Sequence, residues 1–457
     1  MKNSLLIGAF VGTILGTPAL ANEASAPTYW QTNGYGYVLE IKNDDVKFYD
    51  ITKHHCLINH QKSNRYSSDN LTVMGKKQGQ FYWDTLHPVK LSKLDRLPEL
   101  CLKPVKNIAE KGYQFSAPVV FDIFWHTFLE HYAFSDIKRW NWQEKYNVWR
   151  AKINDKTTEP ELLVVLDKVL AKINDGHASI ESQDGDRLVY HNAKDSAFNH
   201  RIQKEFNAQN EFTSFNDYNA YTLKQSQENT ASYFLDSFKA KKLNWNVLLA
   251  KLPDNLSYFS IDDMMGFSQE ESISSELTGV DKVMNQALSY FNESKGVIID
   301  LRWNGGGEDL IAERFLSYFI NEKLHAGSKS TKTPQGFSQP NNILIEPSNN
   351  ENYLGPIVIL TSKITASAAE SFTLYSHARG NVTFIGESSN GSYSDSLMKE
   401  LPNGWSFSLS NERYFDLAGN HYEFTGFPVT KNFEYFNAKD LERGIDPALE
   451  EAMRILK

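Results

Sequence analysis

An α/β fold is the class this sequence predicts, and three observations carry it. After residue 256, strand-like apolar runs alternate with helix-like runs, the pattern of stacked βαβ units over a mostly parallel sheet. Before that, aromatic residues recur at helical spacing in "VFDIFWHTFLEHY". Ahead of both, short alternating stretches rich in Tyr, Gly, Asn and Lys predict a small β-rich N-terminal domain.

Taken in order, residues 1–21 within "MKNSLLIGAFVGTILGTPALANEAS" combine a lysine, a short apolar run and the small-x-small site Ala19-Leu20-Ala21. This is the pattern of a secretory signal peptide, cleaved near Ala21. The run is too short for a transmembrane anchor, and no Cys follows the site to carry a lipid. The mature chain is therefore expected in a periplasm or outside the cell, with no membrane span after signal removal. Residues 22–105 form the β-rich domain, in which "YGYVLEI" and "DVKFYDI" straddle the turn-like "KND". Cys56 and Cys101 are the only cysteines. An even pair in an exported chain reads as a disulfide, with two buried free thiols as the plainer alternative.

Residues 106–183 read as a helical subdomain. Phe121, Phe124, Trp125, Phe128 and Tyr132 make a core-facing stripe, and His126 and His131 read as helix-face residues. "TEPELLVVLDKVLAKI" is a second helix, with Thr158 and Glu161 as a capping box and Pro160 in the first turn. Asp175-Gly176 is expected to end it, inside "NDGHASI". Residues 184–255 are polar, apart from "NWNVLLAKL", and are read as a cap, lid or helical insert. Residues 256–457 are read as an α/β domain. There "LSYFSID", "KGVIIDLRW", "PIVILTS" and "VTFIGE" are strands; "EDLIAERFLSYFI", "SAAESFTLYSHA" and the stretch through Leu277, Val280, Met284, Leu288 and Phe291 are helices.

The bulk numbers narrow the function. A length of 457 residues suggests two or three domains, and 41% hydrophobic with 23% charged residues is ordinary globular composition. The net charge of −9 is spread along the chain without a basic stripe, which argues against nucleic acid as a partner. "KHHCLINH" gathers His54, His55, Cys56 and His60, but it lacks the second half of a paired zinc spacing, so no metal is expected.

Three loops carry candidate chemistry. In "IIDLRWNGGGED", Gly305, Gly306 and Gly307 follow a strand and open a helix, a place suited to a phosphate or a developing oxyanion. The run has neither the G-x-G-x-x-G spacing nor a P-loop lysine, so a nucleotide is a weak reading and no cofactor is expected. In "TSKITASAAESF", Ser367 follows a strand and opens a helix. It is either a nucleophile favoured by the helix dipole or a plain N-cap with Glu370 as its capping-box partner. In "INDGHASI", His177 sits between small residues past a helix end, and His is the usual base for a nucleophilic Ser.

Together "GVIIDLRWNGGG", "ITASAAE" and "FIGESSNGS", in that order, resemble the C-terminal-processing (tail-specific) serine peptidase family. "NWQEKY" followed by "INDGHASI" is similar to that family's lead-in. The likeness spans about residues 118–182 and 256–452. It implies a crotonase-like catalytic domain and hydrolysis of peptide or unfolded-protein substrates. Ser367 matches the nucleophile, and the N–H groups of Ala368 and Gly306 match the oxyanion hole. One branch of the family uses a Lys base in a G-E-x-T-x-G-K-G loop. Here Ser392 stands where that Lys would be, and Lys399 is off the motif. The other branch, which includes the tricorn core protease and the retinoid-binding protein of the photoreceptor matrix, lacks a PDZ domain. Its serine peptidases use His, and His177 matches it, with Glu423 of "YEFTGFPV" as the orienting acid. Gly176 replaces that branch's Ser before the His. Ser179 or Ser392 then provides the link, or the His–Glu contact is direct. No PDZ domain is recognisable. The reading is an exported serine peptidase; the alternatives are an inactive member that binds an apolar ligand or peptide, and a small-ester hydrolase. The sequence leaves the oligomeric state open.

Overall fold

The computed structural model describes residues 26–82, 88–191, 193–235, 240–270 and 272–457; the expected signal peptide lies outside them. Within these residues the alternation after residue 256 builds one seven-stranded sheet. Its spatial order is Lys241–Asn244, Val247–Leu252, Leu256–Ile261, Gly296–Asp300, Ile357–Thr361, Val382–Gly386 and Lys431–Asn432. The first three neighbours pair antiparallel and all later ones parallel.

The central strands are buried at every residue because both faces are covered, which is why they read as unbroken apolar runs. Side chains alternate between two cores, as the two-residue strand period requires. Val297, Ile299, Ile357 and Ile359 face a core with the helices Ile273–Phe291, Asp309–Ser317 and Ala368–Arg379. Ile298, Val358 and Leu360 face the C-terminal helix Pro447–Leu456. "NWNVLLAKL", read as part of a cap, instead forms most of a hairpin on this sheet, while the helices Ala193–Ala208 and Phe215–Ala231 and the strand Arg187–Tyr190 stand outside it. The polar outer strand KKLN hid this, since a sheet edge tolerates lysines.

The N-terminal sheet is antiparallel, in the order Cys56–Asn59, Asp45–Ile51, Tyr37–Lys42, Thr28–Thr32, Val89–Leu94, Gln78–Phe81 and Leu71–Met74. The "KND" turn joins Lys42 to Asp45, with Asn43 at φ 56°. Cys56 and Cys101 form a disulfide, as expected. Trp30, Phe48 and Phe81 of this sheet share one core with the aromatic stripe Phe121, Phe124, Trp125 and Phe128, and with Phe407 and Leu409 from late in the chain. The capping box of Thr158 and Glu161 is formed. The helix it starts, Glu159–Ile173, ends one turn-residue earlier than expected, on Asn174 at φ 48°. Asn tolerates the left-handed conformation, so no glycine is needed there.

Two smaller sheets position the loops. Leu324–Thr333 pairs with Asn341–Ile345 and Glu412–Phe415. Ser406–Ser410 pairs with Ser396–Glu400 and with Ser179–Glu181, which begins two residues after His177.

Beneath the central strands Arg302 is 3% exposed and forks between Asp300 and Asp446, at 2.6 and 2.8 Å. Arg302→Ala would leave two buried carboxylates without their counterion. We expect a loss of about 3–5 kcal/mol in urea unfolding, whereas Arg454→Ala, which breaks an exposed pair with Glu451, should leave the midpoint unmoved.

Candidate active site

The three loops singled out in the sequence meet at the C-terminal ends of the parallel strands. Asn304, fully buried, ties the glycine and serine loops to the end of the strand Leu256–Ile261. Its Nδ2 donates to Ile261 O at 3.0 Å, its Oδ1 accepts from Gly306 N at 2.9 Å, and its backbone carbonyl accepts from Ala366 N at 3.1 Å. Thr365 Oγ1 donates to Leu301 O, and Ser362 Oγ to Arg302 O, so the serine loop is sewn to the glycine loop. Two of the three glycines are required by contact. A Cβ on Gly306, at φ 112°, would fall 2.5 Å from Ser367 Cβ, and one on Gly307, at φ 134°, 2.4 Å from Met264 O. Gly305 would meet nothing within 4 Å.

Ser367 precedes the helix Ala368–Arg379 with φ 54° and ψ −127°, a conformation that costs a non-glycine residue about 1–3 kcal/mol. Its N–H donates to Ser392 O, while its carbonyl accepts from Glu370 N and Ser371 N, which clamps the strained residue on both sides. Its side chain makes no capping bond. Glu370, the capping-box partner by sequence, is fully buried and turned elsewhere, taking bonds from Ser389 Oγ and from Gly391 and Ser392 N–H. Ala368 N, at the first helical position, faces the usual fate of a helix start, a donor without an intrahelical acceptor.

His177 is positioned by Asp175. One Asp175 oxygen accepts from His177 N at 2.9 Å and Ser410 Oγ at 3.0 Å; the other accepts from Tyr132 OH at 2.9 Å. Burial lowers the His177 pKa below its ordinary value, opposed by the charges of Asp175 and Asp395. Its Nδ1 is buried and has no hydrogen-bond partner among the described residues. Glu423, 3% exposed, accepts from Tyr393 N at 2.8 Å and Ser394 N at 3.1 Å through Oε2, while its Oε1 is buried and unpartnered among the described residues. Burial, with the charges of Asp175 and Glu370, raises the Glu423 pKa well above the carboxylate range.

Ser367 and His177 line one cavity of about 330 Å³, with Gly307, Asp395, Asn411 and Lys329. Tyr35 and Tyr37 of the N-terminal sheet close its side. The other candidates point away from it. Ser392 Oγ donates to Asn390, Ser179 Oγ pairs with Ser408 Oγ at 2.9 Å, and Gly306 N–H is taken by Asn304. Lys399 is 3% exposed and donates to Asp50 at 2.6 Å over the Tyr37 ring, where burial lowers its pKa to about 8. No group of three or more His, Cys, Asp or Glu side chains among the described residues is arranged to hold a metal ion. Asn304, Asp175, Glu370 and Asn411 were not read as site residues. Asn304 and Asp175 each stood inside a quoted motif, and that adjacency was the available signal.

Residues 255–433 match the sequence model of Peptidase family S41. A candidate peptidase from Parabacteroides merdae ATCC 43184 has a similar fold, with 24% identity over 75% of this chain and 97% of that one and a TM-score of 0.58. Mature CPAF is similar at 12% identity, 75% and 96% coverage and a TM-score of 0.53. Its complex with lactacystin matches at 12% identity, 75% and 97% coverage and 0.51.

The contacts of the glycine run predict opposite outcomes for neighbours. Gly306→Ala should abolish activity and destabilise the chain by about 1–3 kcal/mol through the strained backbone and the clash with Ser367, while Gly305→Ala stays within about 0.5 kcal/mol. Ser367→Gly should abolish activity and yet unfold at higher urea than Ser367→Ala, by roughly 1 kcal/mol, because glycine relieves the strain at φ 54°.

Proposed function

Peptidase family S41, to which residues 255–433 assign this chain, is the premise from which we propose an exported serine peptidase with a histidine general base. The observation that carries the proposal is Ser367, held in a strained turn at a helix start and sharing one cavity with His177. Strain clamped at a single polar side chain is a mark of functional sites.

In this reading Ser367 Oγ attacks the scissile carbonyl while His177 takes its proton. The tetrahedral oxyanion is met by Ala368 N–H and by the glycine run. Gly306 gives its N–H to Asn304, so we assign the second donor to Gly307, on the cavity wall. Such donors are worth about 3–4 kcal/mol each in acyl transfer. His177 then protonates the leaving amine, and water attacks the acyl-enzyme by the same route in reverse. Glu423 is assigned to orient the imidazole; supporting this, each of the two residues keeps one buried atom without a partner among the described residues. No Ser links them in this assignment, since Ser179 and Ser392 are bonded elsewhere.

The half after residue 256 is assigned as a crotonase-like catalytic domain, with parallel strands alternating with helices. The preceding segments are assigned as a β-rich N-terminal domain, a helical subdomain and a two-helix cap. Export is supported by the disulfide, which persists in oxidising compartments.

The test is fluorophosphonate labelling mapped to the residue. Ser367 should be labelled, and labelling should be lost in His177→Ala. Labelling that survives that substitution would overturn the base; absence of labelling in a folded chain would favour a binding protein. Burial depresses the His177 pKa, so the neutral, competent imidazole persists to lower pH than a free one. The rate should be full near neutrality and fall as pH drops, with a midpoint under 6.5.

A further inference from the structure

One corner of the Ser367 cavity carries more negative charge than its own cations neutralise. Among the described residues, Asp309, Asp395 and Glu412 converge there around one ammonium, Lys329, while Lys62, which also lines the cavity, lies over the Tyr37 ring. Lys329 Nζ turns inward, donating to Glu412 Oε2 at 3.0 Å, Asp395 Oδ2 at 3.3 Å and Tyr414 OH at 3.3 Å. Tyr414 OH lies 2.7 Å from Asp309 Oδ2 and 3.2 Å from Asp395 Oδ1. A phenol has one proton, so it satisfies one of those carboxylates at a time. Tyr35 OH donates to Glu412 Oε1 from the N-terminal side. Burial and mutual repulsion push Asp309 and Glu412 up to about 7, while Lys329, against burial, holds Asp395 below its ordinary value, so one ammonium meets the charge of one of the three carboxylates. Glu412 is fully buried beneath, whereas the Asp395 side chain is 43% exposed.

A second observation points to an occupant. Asn411 is 1% exposed and lines the same cavity, and its Nδ2 is buried with no hydrogen-bond partner among the described residues. An orphaned buried donor is costly, and a peptide carbonyl is its natural acceptor.

We propose that this corner is a specificity pocket for a lysine or arginine side chain beside the scissile bond, with its cation on Asp395 and Asp309 and a substrate carbonyl on Asn411 Nδ2. This rests on the peptidase reading above. The entering cation supplies the missing charge, Lys329 stays bound to Glu412, and the amide of Asn411 acquires its acceptor. A charged hydrogen bond in a partly buried site discriminates strongly against an apolar isostere, which would leave the carboxylates unpaired.

The experiment compares two diphenyl phosphonates, one with a lysine side chain and one with norleucine, as labels of Ser367 in the mature chain at pH 8. The lysine probe should label at least ~10-fold faster, and that ratio should fall toward one in Asp395→Asn and in Asp309→Asn. Equal or faster labelling by norleucine, or a ratio that both substitutions leave intact, would overturn the pocket. If neither probe labels a folded chain, the nucleophile reading fails separately. Calorimetric titration with N-acetyl-lysine amide then decides: binding that Asp395→Asn abolishes sustains the pocket, and no binding overturns it.

Discussion

Asn304 bonds through its side chain to Ile261 and Gly306 and through its carbonyl to Ala366, so one fully buried residue fixes the ends of three parallel strands relative to each other. The close approach of Gly306 to Ser367, and the left-handed turn of Ser367 itself, exist only while those strand ends keep that spacing. An amide suits the position. It donates and accepts in opposite directions without a charge, and a charge at such depth would be far more expensive to bury.

Around this fixed point the polar groups divide into two kinds. Glu370, which gathers the 389–392 loop, and Arg302, between its two aspartates, are paired behind the loops. Two residues that line the cavity are left short: His177 Nδ1 and Asn411 Nδ2 lack partners among the described residues, as does Glu423 Oε1. A chain stabilised everywhere else can carry this local deficit, and an unmet donor or acceptor in a preorganised site is available to a reacting group.

What the sequence made legible follows from how strongly each element is constrained locally. Strands buried on both faces, such as Gly296–Asp300, read as apolar runs, and the stripe from Phe121 to Phe128 read as a helix face, because burial leaves few alternatives. The same capping template succeeded at Thr158, on an exposed helix start, and gave the wrong partner at Ser367, where Glu370 is buried and tertiary bonds outcompete the local one. Leu324–Thr333, with its sequence LHAGSKSTKT, carried no strand signal, since its polar residues meet other polar strands, and Lys329 escaped notice with it. The family resemblance was visible because its motifs are contiguous. The carboxylates around Lys329 come from three separate segments, and nothing in the sequence brings them together.

Tyr35 bonds to Glu412 across 377 positions of the chain, and the core that holds Trp30 also holds Leu409. The first sheet packs on the nearby stripe Phe121–Phe128, but the side wall that Tyr35 gives the cavity is tied to a segment far along the chain. Such sequence-distant closure is slow. A chain that has not yet made this contact holds Ser367 and His177 without that wall. The span between Tyr35 and Glu412 thus acts as a timer: the cleft is walled only once the N-terminal sheet and the strand Glu412–Phe415 have met.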